Sequence, residues 1–292
     1  MISIVITSFR EPKTIGKAIE SFIFQDIKEK YELIVVAPDE KTLDVARKYA
    51  KKHKQIKIFK DPGKGKPAAL NLAVSKAKGD ILVLTDGDVY VDKNALNLMV
   101  EKFKNKEIGA VSGNPVSLNP KNDRYGFWAF VLTNVANEIR IENQKKDSKI
   151  ICSGYLFAIR KELFPRLPEN LLSEDGYISE IIYEKGYKIE YAPDAKVYVK
   201  YPTNFSDWIK QKKRSAGGYN QIGKILGKQM RSFSSESSGA FRLFKYVSGI
   251  RQLIWLFELL IARFYLWILI YLDISIKNKT QKELWQRVES TK

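Results

Sequence analysis

The segment GDILVLTDGDVYVD, residues 79–92, ends an apolar run with two aspartates, Asp86 and Asp88, on either side of one glycine. They concentrate negative charge in a chain whose formal net charge is +17. Mg²⁺ and Mn²⁺ prefer oxygen ligands, and Mg²⁺ commonly takes one or two carboxylates together with substrate phosphates. The spacing suits a metal-bound phosphate, and it equally suits a solvated turn, where Asp and Gly are common. Three further segments carry chemistry of a related kind. DPGKGKPAALN, residues 61–71, sets Gly63, Lys64, Gly65 and Lys66 just before an expected helix N-terminus, a place that suits a phosphate. Its spacing is not that of a Walker A loop, which speaks against an ATPase. LLSEDG, residues 171–176, holds a second acidic pair, Glu174 and Asp175, although an N-capped helix start has the same composition. QKKRSAGGY, residues 211–219, is polar, basic and glycine-broken, as a solvated helix end would be.

These residues need a frame to hold them. ISIVITSF, YELIVVA, QIKIFKD and DILVLTD read as strands, alternating with the helical segments TIGKAIESFIFQ, EKTLDVARKYAKKH and KPAALNLAVSKAK. The last of these helices has a proline near its first turn and stops at Gly79. Strand and helix in alternation predict an α/β protein with a mostly parallel sheet covered on both faces. Ligands of such sheets sit beyond the carboxyl ends of the strands. Residues 7–11, 38–40, 61–66 and 86–88 are therefore expected along one edge. Further on, IGAVSGNPVSL reads as a strand running into a loop, and GFWAFVLTNVANEIRIENQ as a long helix. IICSGYLFAIRKELF reads as strand, turn and strand, SEDGYISEIIYEKG as a helix, and YKIEYAPDAKVYVKYP as two short strands.

Composition narrows the partners. The charge of +17 points to an anionic partner, with a Lys/Glu-rich thermophilic surface as the plain alternative. Cys152 is the single cysteine, so no intrachain disulfide forms and a reducing compartment is expected. His53 is the single histidine, and with no second His or Cys to join it a zinc site there is not expected. MISIVITSF enters a strand without a basic leader, so no signal peptide is expected. Residues 228–242 are Ser-rich and read as a linker. Residues 253–272 are apolar apart from Glu258 and Arg263, which define no single polar face. Two central charges bring a membrane span close to break-even, so lying in the interface is as plausible as crossing. Lys245 and Arg251 precede this stretch, and Lys277, Lys279 and Lys282 follow it.

In their order and intervals the motifs resemble those of family 2 glycosyltransferases, enzymes with a GT-A fold that use nucleotide-activated sugars. The resemblance covers about residues 1–225: VITSFRE, VVAPDEKT, GKGKPAALN, TDGD, CSGYLFAIRKELF, the SEDG segment and QKKRSAGGY each have a counterpart. It implies a Rossmann-like nucleotide-sugar-binding half over residues 1–105 and an acceptor-binding half over 106–227. Beyond the linker it leaves a membrane-associated helical segment with a basic tail over 243–292. Thr7, Ser8, Glu11, Asp39, Lys66, Asp86, Gln211 and Arg214 are then the donor-binding residues. Asp88 and Asp86 hold Mg²⁺ or Mn²⁺. Asp175 is the catalytic base, and neighbouring Glu174 adjusts its pKa. Ser215 stands where membrane-bound polysaccharide synthases of the family carry a tryptophan, which weakens any inference of processive polymerisation.

The implied reaction is an inverting, metal-dependent transfer from a nucleoside-diphosphate sugar to a hydroxyl of a glycan or lipid-linked glycan. UDP stands ahead of GDP, although Asp39 alone does not separate the two bases. The expected place is the cytoplasmic face of the cell membrane. A polyprenyl-phosphate sugar transferase is the nearer alternative, but SEDG and QKKR suit a neutral hydroxyl acceptor. A basic nucleic-acid-binding protein is the more distant one. It is disfavoured because no RNP, zinc-finger or helix-turn-helix pattern is evident, so no nucleic-acid partner is expected.

Overall fold

In the computed structural model, residues 1–228, 240–273 and 287–291 are described. Strands β1 (Ile2–Thr7), β2 (Tyr31–Ala37), β3 (Ile56–Lys60) and β4 (Ile81–Asp86) lie parallel in the order β3-β2-β1-β4. They are joined by helices α1 (Ile15–Ile23), α2 (Glu40–Ala50) and α3 (Lys66–Lys76). β1 is apolar at four of its six positions and buried at all six because both of its faces are covered. Ile2, Ile4 and Ile6 pack with Ile15, Ile19 and Phe22 of α1, while Val5 packs on the other side with Ala69, Leu70 and Ala73 of α3. Side chains that alternate across a sheet with two covered faces leave a continuous hydrophobic run in the sequence.

The second half extends the same sheet and mixes its directions. After β5 (Tyr90–Val91) and α4 (Ala95–Glu101) come β6 (Ile108–Ser117) and α5 (Arg124–Lys145). β7 (Leu156–Arg160) then enters antiparallel between β4 and β6, and β8 (Lys188–Val199) lies parallel to β6 with β5 antiparallel on its far side. The eight-stranded order is β3-β2-β1-β4-β7-β6-β8-β5. Register sets Thr7 opposite both Val36 and Asp86, and Ala37 opposite Lys60, so the carboxyl ends of the first four strands share one edge.

Three local expectations need correction. Residues 150–155 form no strand before β7, because side chains take their backbone N–H groups. Ile150 donates to Tyr183 Oη at 2.7 Å, and Cys152 to Ser179 Oγ, Ser153 to Ser112 Oγ and Gly154 to Asp175 Oδ2 at 3.0 Å each. The segment expected as two short strands is the single 12-residue β8, whose register against β6 shifts between Ser112 and Asn114. There Asn114 Nδ2 donates to the Pro193 carbonyl at 2.8 Å. QKKRSAGGY is no helix end: it lies inside the unbroken helix α7 (Phe205–Leu226), which follows α6 (Glu174–Glu184). A Cβ on Gly218 would stand 2.6 Å from Ser173 Cβ, so glycine lets α7 press against the start of α6.

The apolar C-terminal stretch is helix α8 (Ile250–Tyr271), docked along its length. Leu256, Leu259, Ala262, Leu266 and Ile270 pack into a cluster with Phe127, Trp128, Val131 and Val135 of α5 and Trp208 of α7. Trp128 Nε1 donates to the Trp255 carbonyl at 2.7 Å, Arg124 meets Glu258 at 3.3 Å, and Lys213 pairs with Asp273. The opposite face exposes Ile250, Ile254, Phe257, Ile261, Phe264 and Ile268. The helix is thus apolar on two sides, one covered by protein. Among the described residues it is the one helix long and apolar enough to cross a membrane, with mean hydropathy 2.1 and 28% of that window buried. Residues 229–239 of the expected Ser-rich linker, and Lys277, Lys279 and Lys282, lie outside the described residues.

The first turn of α7 is tied to the chain's end by Asp207, whose carboxylate accepts from Ser290 N–H at 2.9 Å and Lys210 Nζ at 3.0 Å. Burial alone would raise its pKa. The Ser290, Lys210 and Asn204 hydrogen bonds outweigh that and hold it at about 2, below the ordinary 3.8. A carboxylate with a depressed folded-state pKa stabilises above its unfolded value and loses that contribution as pH falls towards the folded one. Asp207→Asn should therefore flatten the acid limb of stability between about pH 4 and pH 2. Urea midpoints measured across that range for both chains check this.

Candidate active site

The shared strand edge holds a closed group of charges. Asp86, at the end of β4, takes Lys66 Nζ on Oδ1 at 2.7 Å, and the same ammonium reaches Glu174 Oε1 at 2.6 Å. Lys66 opens α3 and Glu174 opens α6, so one side chain ties the two halves of the sheet together. Lys66 also points at the Gly154 carbonyl, 3.4 Å away, and Thr7 Oγ1 reaches Asp86 Oδ1 at 3.4 Å. Burial opposes the charge on Lys66, but Asp86 and Glu174 more than compensate and push its pKa up, so it stays an ammonium. Glu174 is raised, first by its own burial and further by the neighbouring Asp175 charge, with Lys66 opposing.

Asp175 stands beside this group and is held by hydrogen bonds. Ser173 Oγ donates to Oδ1 at 2.7 Å, Gly176 N–H to Oδ1 at 2.8 Å, and Gly154 N–H to Oδ2 at 3.0 Å. A carboxylate offers about four acceptor positions. Three donors fix its plane and leave Oδ2 with room for a further proton-bearing group.

Below the two aspartates, Ser8 Oγ donates to Glu11 Oε2 at 2.7 Å, and both residues are buried. Gly87 lies directly over them, where a Cβ would come within 2.4 Å of Ser8 Oγ. The glycine of the Asp-Gly-Asp turn is thus required by this close approach, and Thr7 O accepts its N–H at 2.9 Å.

Asp39 is set further along the edge and does not bond to the Asp86 group directly. It caps α2, accepting from Thr42 N–H at 3.0 Å and Thr42 Oγ1 at 2.8 Å, and it takes Arg10 N–H at 2.8 Å. Thr42 Oγ1 in turn accepts from Glu11 N–H at 2.9 Å, which links the cap to the Ser8–Glu11 pair. Burial would raise the pKa of Asp39, but the Thr42 and Arg10 hydrogen bonds lower it overall. Asp61, expected on this edge but given no role in the sequence, is buried nearby. Its pKa is raised by that burial and by the Asp39 charge, against a hydrogen bond from Gly63 N–H. Its place at the head of the Gly-Lys-Gly-Lys run was the clue in the sequence.

From α7, Gln211 Nε2 approaches Tyr155 Oη at 3.4 Å, and the Arg214 charge acts on the same tyrosine. Burial, with the charge of Asp88 adding to it, pushes the Tyr90 and Tyr155 hydroxyls towards the neutral form. Tyr155 itself was not singled out in the sequence, where CSGYLFAIRKELF as a whole resembles the family's acceptor-side strand pair. No group of three His, Cys, Asp or Glu among the described residues could hold a metal ion unaided.

An open twisted sheet with parallel strands feeding a carboxylate edge, extended by an antiparallel insertion and an acidic helix start, is the GT-A architecture of glycosyltransferases. The chain belongs to glycosyl transferase family 2, whose model matches residues 3–167, more than half of its length. It is 28% identical over 233 residues to the probable glycosyltransferase YdaM of Bacillus subtilis (strain 168), covering 76% of this chain and 56% of that protein. It is 23% identical over 227 residues to the poly-beta-1,6-N-acetyl-D-glucosamine synthase of Staphylococcus aureus (strain COL), covering 76% and 55%. The chain thus spans about half the length of these curated relatives. Among solved structures, the mannosyltransferase PcManGT from Pyrobaculum calidifontis, in complex with GDP-Man and Mn²⁺, superposes with a TM-score of 0.64 at 20% identity. That match covers 97% of this chain and 82% of the other. Glucosyl-3-phosphoglycerate synthase from Mycobacterium tuberculosis gives 0.55 at 16% identity over 78% and 80%.

Removing the ammonium would leave Asp86 and Glu174 facing each other. Lys66→Met should cost about 1–3 kcal/mol, below the cost at a fully buried pair because the Lys66 side chain is 30% exposed. Urea unfolding of the two chains at neutral pH measures it, and adding Glu174→Gln should recover part of the loss.

Proposed function

We propose that the chain transfers a sugar, with inversion, from a nucleoside diphosphate to an acceptor hydroxyl of a glycan or lipid-linked glycan. The carrying observation is the Lys66 link, which sets Asp86 at the end of β4 beside the Glu174–Asp175 pair at the start of α6. One site then presents carboxylates for a metal-bound diphosphate and, next to them, a carboxylate with an open acceptor position. Thr7, Ser8, Glu11, Asp39 and Lys66 frame the donor from the first half, and Gln211 and Arg214 close over it from α7.

In the transfer, the acceptor oxygen bonds to the anomeric carbon as the bond from that carbon to the diphosphate breaks. The diphosphate leaves with the electron pair, and the acceptor proton passes to Asp175. General-base help of this kind is worth about 10²–10⁴-fold. Arg214, a permanent cation suited to forked contacts with phosphate, and Lys66 stabilise the departing charge. Asp86 and Asp88 fit Mg²⁺ or Mn²⁺: the ammonium already seated on Asp86 marks that oxygen as one placed for a cation, and two carboxylates with substrate phosphates satisfy such ions. When bound, the ion supplies charge neutralisation on the diphosphate.

Two variants separate these roles. Asp88→Ala should abolish transfer and weaken binding of nucleoside diphosphates in Mn²⁺. Asp175→Asn should lower turnover by about 10²–10⁴-fold while donor affinity stays within a few-fold. Calorimetry with UDP and GDP, beside transfer assays with their sugars, reads both and orders the two bases. Full transfer in excess chelator would overturn the metal role. Full turnover by Asp175→Asn would point to an acceptor that is already anionic, such as a polyprenyl phosphate.

The outward face of α8 supports a place on the cytoplasmic surface of a membrane. Because its other face is fastened to α5 and α7, the helix suits immersion in the interface, with the +17 chain drawn to anionic headgroups. The full chain should float with phosphatidylglycerol vesicles at low salt. Ile254→Asp combined with Ile261→Asp should leave it at the bottom of the gradient with its melting temperature within a few degrees. A wild-type chain that never floats would remove the membrane from the proposal.

A further inference from the structure

Helix α7 is gripped from two sides. It carries Gln211 and Arg214, given above to the donor, and its Gly218 presses on Ser173 at the start of α6. On the other side α8 takes hold at three points. Trp208 lies in the apolar cluster with Leu259, Ala262 and Leu266. Phe205 stacks on both Trp208 and Tyr265 of α8, with ring centroids 6.2 and 6.3 Å away. Lys213 pairs with Asp273, just past the end of α8, and their side chains are withdrawn from water, at 21% and 6% exposure.

A helix advances about 100° per residue. On that wheel Phe205, Trp208 and Lys213 fall within about 140° of one another. Arg214 stands about 170° and Gln211 about 130° from the middle of their sector, on either side of Gly218. The helix is thus held by one face and presents the donor residues on the opposite one. The three holds differ in kind. The apolar contacts of Phe205 and Trp208 leave no polar group stranded if the helix slides or turns. An ion pair withdrawn from water is less tolerant, because parting it leaves a buried charge uncompensated, and fixing registry is the best-attested use of such pairs. Side chains reach about 5–6 Å from a helix axis, so a turn of about 20° would carry the Arg214 head group about 2 Å. A displacement of about 1 Å in a substrate-positioning contact can cost about 10²-fold.

We propose that Asp273 is a positioning residue for the donor site: paired with Lys213, it fixes the rotation of α7 and thereby the reach of Gln211 and Arg214 to the diphosphate. This rests on the glycosyl-transfer reading above. The pair closes where it has most effect, since Lys213 immediately precedes Arg214 and its partner lies at the far end of the α7–α8 contact. The site itself does not need this ammonium for its carboxylates, because Asp86 and Glu174 already share Lys66. Helix α8 is then part of the donor machinery as well as the membrane-facing element, and it acts through its last residues rather than through its outward row.

The test uses the full chain and whichever of UDP and GDP the wild type binds more tightly in Mn²⁺, because calorimetry reads affinity and stoichiometry separately. Asp273→Asn should weaken that binding at least about fivefold with the stoichiometry unchanged. It should raise the KM for hydrolysis of the matching sugar, UDP-N-acetylglucosamine or GDP-mannose, in about the same proportion. Lys213→Arg keeps a cation for Asp273 and should stay within about twofold of wild type. A merely structural defect would instead lower the stoichiometry and kcat together and leave Kd and KM where they were. Should Asp273→Asn fail to fold, Lys213→Met combined with Asp273→Leu strands no charge and keeps the apolar packing. That double variant should melt within a few degrees of wild type and still bind the nucleotide more weakly. Wild-type affinity in the folded double variant, or losses in Asp273→Asn confined to stoichiometry and kcat, would overturn the proposal while the glycosyl-transfer reading stands. A wild type that binds neither nucleotide refutes that reading, and the proposal with it.

Discussion

One ammonium joins the two halves of this molecule where they need to meet. Lys66 leaves the start of α3, touches the carboxylate at the end of β4, and reaches the first residue of α6. Each contact comes from a separate part of the chain, and the sheet must already be correctly ordered for them to coincide. The ammonium's partners are carboxylates that would repel each other without it. The site therefore has an electrostatic centre of its own, one ammonium already paired with two carboxylates.

The rest of the site is held by hydrogen bonds that substitute for regular structure. Residues 150–155 run beside the sheet with their N–H groups given to Tyr183, Ser179, Ser112 and Asp175. Giving up a ladder costs little where donors find partners elsewhere, as those of Ile150, Cys152, Ser153 and Gly154 do. The same economy appears at Asp39, which caps a helix and anchors the Arg10 loop through both carboxylate oxygens.

Much of this was legible in the sequence. Four apolar strands alternating with helices dictated the parallel half and its functional edge, because both-face burial leaves a hydrophobic run and βαβ units permit little else. Asp86, Lys66, Glu174 and Asp175 were singled out by charge and spacing, and the structure brings them together. The antiparallel entry of β7 was not legible, since pairing direction depends on partners distant in the chain. The two-residue β5 is too short to show a period. The glycines of α7 look like a helix stop until Ser173 is placed against Gly218. Tyr155 was hidden because an aromatic beside a strand most often belongs to the core.

Helix α8 has no face that prefers water, and it follows α5 and α7 in the chain. During synthesis its docking surface has already emerged when it appears, since chains fold from the N-terminal side as they are made. The inner face can be covered at once by Phe127, Trp128 and their neighbours, and the remaining burden falls on the outer row from Ile250 to Ile268. Purified chain should then be limited in solubility by that row alone, and a detergent that coats it should raise the attainable concentration without loosening the sheet. Which side is left for the solvent to deal with is set by the row that fits α5 and α7, with the Arg124–Glu258 pair and the Trp128 hydrogen bond fixing the helix's rotation.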